Sequence, residues 1–275
     1  MGRNRERSAL LGFLSKIFAS LRAGGHSDPP RKPLATAESR PKTRPLPGPR
    51  FRVQLCCHTG AAVSVQAFAP GYLVNDTDGL LRLGLQQLKA WDAAGLHVPQ
   101  LAIELPTTIS RHKIMADPLI WEIDRQSVAT NRLIFCAGSD AGRMDEQAGL
   151  ALLAQHGCSL EISSTDPADL RALRDMRIVG ARLRIAEAEL RNCDRDANSS
   201  ARAQSLLMLA DRYGLASLAD GVSTPRQHGL LAQLGCSVVQ GDAIAPLLDA
   251  DATTYYLRNL TAIDMHPVAV PRSAA

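Results

Sequence analysis

The sequence predicts an α/β barrel of eight strands carried behind a basic tail. From Phe51 onward, apolar runs of strand length alternate with longer segments of helical period. The 275 residues, less a tail, match the roughly 250 that such a barrel occupies. With 45% hydrophobic and 21% charged residues, the chain has the composition of a globular fold with a sizeable core.

The strand-like runs are residues 51–57 (FRVQLCC), 62–68, 100–105, 132–137, 158–162, 180–185, 215–219 and 236–241. Helical periodicity fills 79–95, 145–157, 197–214 and 224–235, and several of these segments close on Gly, as helix ends commonly do. Only His58, Thr59, Gly60 and Ala61 separate the first two strands. Parallel neighbours need a crossover of about a dozen residues, so the first strand must run antiparallel to the second.

The tail, residues 1–50, is of a different kind. Residues 1–52 hold 12 Lys/Arg against 3 Asp/Glu, whereas the rest holds 19 against 24, so the net charge of +4 conceals an acidic body. Within the tail, Leu10, Leu11, Leu14, Ile17, Phe18 and Leu21 share one face of a helix over 8–23. That segment is too short to span a bilayer, and Lys16 interrupts it, which also argues against a secretory signal. It reads as a helix for a membrane surface or a partner, or as a loosely packed terminal helix. The Pro- and Arg-rich stretch from His26 to Pro49 reads as an extended, disordered spacer. The expected organisation is therefore a tail over 1–50, a barrel over 51–260 and a short C-terminal tail over 261–275.

Several functions are excluded. Aromatics at 4% leave no stacking platform for single-stranded nucleic acid, and an acidic body offers no broad phosphate-binding face, so no specific nucleic acid is expected. The six cysteines lack CxxC spacing, which excludes a zinc ribbon or disulfide framework and suits the cytoplasm, with peripheral membrane attachment left open by the tail. His58, His97, His112, His156, His228 and His266 are scattered and read as surface or helix-end residues. No G-x-G-x-x-G, P-loop or G-x-S-x-G is present.

The stretch LASLADGVSTPRQHGLLAQLGCSVVQGDAIAPLL (215–248) resembles the end of the EAL domain, the cyclic di-GMP phosphodiesterase family. Gly221, Val222, Thr224, Gln227, Leu230, Leu234, Gly235, Cys236, Gln240, Gly241 and Pro246 stand at the family's positions, and a weaker likeness extends upstream to about Phe51. The resemblance implies a (β/α)8, TIM-like barrel of EAL type with an antiparallel first strand. Most of the family's chemistry does not carry over. Gln66 stands for the signature Glu and Pro70 for the Arg that follows it. Glu104 takes an Asn position, Cys136 a Glu position, and Ser163 and Ser164 replace paired aspartates. Arg184 replaces Lys, Ala186 an Asp, and Asp220 a Glu, while Gln240 is unchanged.

In such barrels the chemistry sits at the C-terminal ends of the strands, where these positions fall. Hydrolysis by two Mg²⁺ or Mn²⁺ ions needs several hard oxygen anions, which neutral Gln, Ser and Cys do not supply. The expectation is a vestigial pocket without catalytic residues, metal or cofactor, in which Glu104, Arg184 and Asp220 form an ion-pair network. The function implied is a catalytically inactive regulatory module that acts through protein–protein interaction in bacterial signalling, motility or biofilm control. A cyclic di-GMP receptor or residual phosphodiesterase is the alternative. The protein partner is unspecified, a homodimer is compatible with the sequence, and the tail helix is the candidate contact to membrane or partner.

Overall fold

In the computed structural model of the protein the described residues are 48–73, 75–139 and 142–264. The helix expected at 8–23, its spacer and residues 265–275 lie outside them. Eight strands, β1 (Arg50–Cys56), β2 (Ala62–Phe68), β3 (Leu101–Leu105), β4 (Leu133–Ala137), β5 (Ser159–Ile162), β6 (Arg182–Ile185), β7 (Ala216–Asp220) and β8 (Val238–Gln240), close into a barrel in sequence order. As the short first connection requires, β1 runs antiparallel to both β2 and β8, and the other neighbours are parallel. The turn is closed by backbone bonds from Cys56 N to Ala61 O (2.8 Å) and from Gly60 N to Cys56 O (2.9 Å).

The helical shell comprises α1 (Thr77–Ala93), α2 (Thr107–Arg111), α3 (Lys113–Gln126), α4 (Ala148–Gln155), α5 (Pro167–Asp175), α6 (Glu187–Leu190), α7 (Ala197–Arg212), α8 (Pro225–Gln233) and α9 (Ala250–Asp264). Their starts are written in the sequence. Asp76, Asp166 and Asp196 each accept a hydrogen bond from a first-turn amide of α1, α5 and α7. Thr224 and Gln227 form a reciprocal capping box on α8, with Pro225 at the first helical position. Helical periodicity did not mark α3, because Pro118 lies inside it and ordinarily breaks a helix. Its buried face, Ala116, Leu119 and Ile123, holds it on the barrel nonetheless. The last helix, α9, runs through Asp264, past the boundary expected at 260.

Two contacts lock the seam beside the reversed strand. Trp91 of α1, buried, meets Phe51 of β1 edge to face at 5.1 Å and donates from Nε1 to Thr254 Oγ1 of α9 at 2.9 Å. Phe51 and Leu248 exchange backbone hydrogen bonds of 2.7 and 2.9 Å, which brings α9 up against β1. At the exit of β8, Gly241 has φ +147°, and a Cβ there would lie 2.3 Å from the backbone N and O of Val222. Only glycine lets the two strand-end loops approach that closely. Among the described residues, no helix is long and apolar enough to cross a membrane.

Candidate functional site

Strand alternation decides what the barrel encloses. Phe51, Val53 and Leu55 of β1, Leu160 and Ile162 of β5, and Leu183 and Ile185 of β6 are buried and of one parity, and they face the helical shell. The opposite parity faces the lumen. Paired neighbours there run Glu104 to Cys136, Cys136 to Glu161, and Glu161 to Arg182, with Asp220 beside Gln240. Barrel interiors are ordinarily filled with branched aliphatic side chains. This one holds a connected polar ladder.

Glu161 is the centre of the ladder and is completely buried. Its Oε1 accepts from Arg184 Nε at 2.7 Å, and its Oε2 lies 3.1 Å from Arg182 Nε. The second contact is an ion pair without hydrogen-bond alignment, since neither of its atoms has a hydrogen bond. Below it, Arg182 donates to Gln54 Oε1 at 3.1 Å and to Ser64 Oγ at 3.3 Å. Ser64 in turn donates to Gln54, and Gln54 donates to Gln240 Oε1 at 2.6 Å. Above it, Arg184 Nη2 donates to Glu104 Oε2 at 2.7 Å, where the Glu104 side chain is 41% exposed at the mouth. Gln240 Nε2 is shared between Gln66 Oε1 (2.8 Å) and Asp220 Oδ1 (3.0 Å).

The electrostatics follow from burial and partner. Burial opposes ionisation of Glu161, but the guanidiniums of Arg184 and Arg182 outweigh it and hold its carboxyl below the usual carboxylate range. For Glu104 and Asp220 the balance goes the other way. Burial pushes both carboxyls up, and the attraction of Arg184 only partly offsets it. Burial likewise raises the Cys136 thiol, with the nearby Glu161 carboxylate adding to the rise, so the thiol is held in its neutral form. The carboxylates around it drive the Arg184 guanidinium still further toward its charged form, against the penalty of burial.

Most of the residues singled out in the sequence converge on this ladder. Gln66, Glu104, Cys136, Arg184, Asp220 and Gln240 line the lumen or its mouth. Ser163 and Ser164 do not. Ser164 Oγ donates to Asp169 Oδ2 of α5 at 2.7 Å, and the two serines border a separate depression of about 200 Å³ between the loops after β4 and β5. The expected trio of Glu104, Arg184 and Asp220 also differs in its wiring. The second hydrogen-bonded carboxylate of Arg184 is Glu161, while Asp220 accepts from Gln240. Glu161, Arg182, Gln54 and Ser64 were not anticipated. Alternation in RLRI puts Arg182 on the same face as Arg184, while only the pairing of β4, β5 and β6 brings Glu161 beside Cys136 and Arg182. His228 is also not a surface residue, being buried with Nε2 3.3 Å from Cys57 O.

The resemblance implies divalent metal ions at such a mouth, and the residues present do not fit them. Among the described residues no three His, Cys, Asp or Glu side chains are grouped so as to hold a metal. Of the carboxylates at hand, Glu104 and Glu161 each already give an oxygen to Arg184.

A closed eight-stranded barrel with a reversed first strand and a polar cluster at its strand ends defines a TIM-like α/β protein with its site at the mouth. The EAL domain model matches residues 77–247, and the chain belongs to the EAL domain family, a cyclic di-GMP signalling family of phosphodiesterases. Among solved structures it is similar to the PaMucR phosphodiesterase in complex with c-di-GMP, with TM-score 0.65, 20% identity, and coverage of 74% of this chain and 93% of that one. The EAL domain of Mycobacterium smegmatis DcpA gives TM-score 0.66 at 15% identity over 77% of this chain and 97% of that one. The Xanthomonas citri FimX EAL domain in complex with c-di-GMP gives 0.57 at 15% over 72% and 87%. At these identities the likeness is one of fold. No curated protein sequence matches the chain.

Proposed function

We propose that this chain is a catalytically silent EAL-domain module that acts by binding another protein. One observation carries the reading: Arg184 is hydrogen-bonded to both Glu104 and Glu161, so the charged groups at the mouth satisfy one another. Phosphodiester hydrolysis of the two-metal kind needs carboxylates free to hold metal ions and a water made nucleophilic by them. Here Gln66, Cys136, Ser163 and Ser164 add no charge, and Gln240 and Asp220 are joined to each other. A cyclic dinucleotide also brings two phosphates, and the Arg184 guanidinium at the mouth is already committed to two carboxylates. The barrel serves as a scaffold, and the basic segment 1–50 adds a second contact, to the partner or to an anionic membrane surface, gaining affinity through effective concentration.

The test is isothermal titration of the full chain with cyclic di-GMP, with and without Mg²⁺, together with a hydrolysis assay in Mg²⁺ or Mn²⁺. The expected outcome is no turnover and no saturable binding at low micromolar concentration. Turnover that disappears in Glu104→Ala would restore the phosphodiesterase. Saturable binding without turnover would make the chain a nucleotide receptor, a role consistent with the names of the c-di-GMP complexes that share its fold.

A further inference from the structure

We infer that the outer face of α3 is a self-association surface: a second copy of this chain covers the exposed stripe of Ile114, Pro118 and Trp121 by laying its own α3 across it in the antiparallel sense. The surface belongs to the helical shell and not to the mouth, so the inference goes beyond the functional reading and does not depend on it.

A surface helix ordinarily turns apolar residues inward and polar ones to solvent. α3 meets the first half of that rule with Ala116, Leu119 and Ile123, and it breaks the second. Ile114 is 76% exposed, Trp121 63% and Met115 47%, and Pro118 is exposed between them. The spacing i, i+4 and i+7 puts Ile114, Pro118 and Trp121 in one stripe. Single exposed apolar residues are ordinary, whereas several on one face mark an interaction surface. Trp121 is also held in place. Buried Glu122 accepts from Arg125 Nε at 3.0 Å and Nη2 at 2.6 Å, and Arg125 Cζ lies 5.4 Å from the centroid of the Trp121 ring. The indole is thus fixed from within the chain while it faces solvent, and little side-chain freedom is lost when a partner covers it.

The flank of the stripe is what points to a second copy. Lys113, Asp117 and Asp124, at i, i+4 and i+11, run along one side of it and are exposed, with the positive charge at the N-terminal end and a negative one at the C-terminal end. A two-fold axis sets the same patch of both copies against itself, so in the antiparallel sense each Lys113 meets the Asp124 of the other copy. With the axis midway between Pro118 and Trp121, each indole packs on the other copy's Pro118, and the two Asp117 carboxylates pass more than one helical turn apart. A parallel copy would set like charges together along the whole flank. One helix pair is small beside the roughly 1,200–2,000 Å² of a stable interface, so the dimer is a weak one.

The experiment is light scattering of the full chain from micromolar to submillimolar concentration, read beside acrylamide quenching of tryptophan fluorescence. The chain has two tryptophans and Trp91 is buried, so the quenchable emission reports Trp121. Wild type is expected to pass from monomer to dimer as concentration rises, with quenching falling in step. Trp121→Ala should weaken the dimer by about tenfold or more while leaving the melting temperature in place. Asp124→Lys should weaken it several-fold, and Lys113→Asp/Asp124→Lys should restore it, because the exchange rebuilds the same two pairs. A dimer indifferent to Trp121→Ala, or a double exchange weaker than the single one, overturns the inference. So does a wild type that stays monomeric with Trp121 open to quencher, which leaves the stripe to a different protein. A monomer whose Trp121 is shielded at the lowest concentration also overturns it, since the chain then covers its own stripe.

Discussion

The two sides of the barrel lumen solve the same packing problem in opposite ways. Beneath β3 and β4 the fully buried lumen side chains are Ala102, Ile134 and Cys136, an apolar cluster, with Glu104 at the mouth above them. Beneath β5 and β6 the lumen side chains are Glu161, Arg182 and Arg184, joined to Gln54 and Ser64 of the hairpin. Each apolar residue contributes by itself, through the area it removes from water. The charged residues are tolerable only as a set, because any one of them alone would be a buried, unpaired ion. An apolar interior therefore drifts one residue at a time, whereas a charged interior is kept or replaced as a unit.

The sharpest way to break this contrast is Glu161→Ala. The substitution leaves Arg182 without its carboxylate and Arg184 with Glu104 alone, and it should destabilise the chain by about 3–5 kcal/mol. Chemical denaturation measures it. The loss should also depend on pH. Glu161 is buried, which opposes its ionisation, yet its two guanidiniums hold the carboxyl below the usual range. Its contribution is then complete at neutral pH and is lost as pH falls through the folded-state value, below the range in which an unfolded glutamate titrates. The gap between wild type and variant should narrow over that acidic window. A gap that stays constant would mean that Glu161 acts through packing rather than charge.

On the apolar side the matching change is Ile134→Val, which removes one methylene from a completely buried side chain. A cost of about 0.5–1.5 kcal/mol is expected. No titratable group is added or removed, so this cost should be the same at acid and neutral pH. A pH-dependent cost at Ile134 would show that the two sides of the lumen are coupled through Cys136, the paired neighbour of Glu161 across β4 and β5.

How much of this was legible in the sequence differs between the same two features, topology and charge. The reversed strand was readable because four residues cannot carry a parallel crossover, and that is a matter of chain length alone. The strand expected at 180–185 starts later, at Arg182, because Gly180 adopts φ +77° in a turn ahead of it. The run expected at 236–241 narrows to Val238–Gln240, since the Cys236 amide still bonds back to Leu231 O of α8 and Gly241 leaves the ladder. Of the charged ladder, Glu104 and Arg184 were visible as positions in a family pattern, while Glu161 and Arg182 were not. What singles them out is register: Glu161 stands beside both Cys136 and Arg182 only once β4, β5 and β6 are paired. Pairing across a sheet is a long-range property, and alternation within one strand says only which residues share a face.

The smallest expected effect concerns Asp220, the residue that sequence reasoning wired to Arg184 and that the structure wires to Gln240. Burial raises its carboxyl above the ordinary value, and Glu161 adds to the rise, while Arg184, Arg52 and the hydrogen bond from Gln240 work against it. A carboxyl raised on folding favours the native state in its protonated form. That contribution is complete below the unfolded value and is lost as pH climbs through the folded one. Asp220→Asn keeps an oxygen for Gln240 Nε2 and removes the charge, so at neutral pH the variant should be the more stable by no more than about 1 kcal/mol, the size of one net hydrogen bond. The difference should vanish at acid pH, and parallel denaturation curves at the two pH values read it directly. If Asp220→Asn instead destabilises the protein at neutral pH, Asp220 is a working counter-ion of Arg184, and the mouth is one ion network rather than an arginine bridge beside a separate Asp220–Gln240 hydrogen-bonded pair.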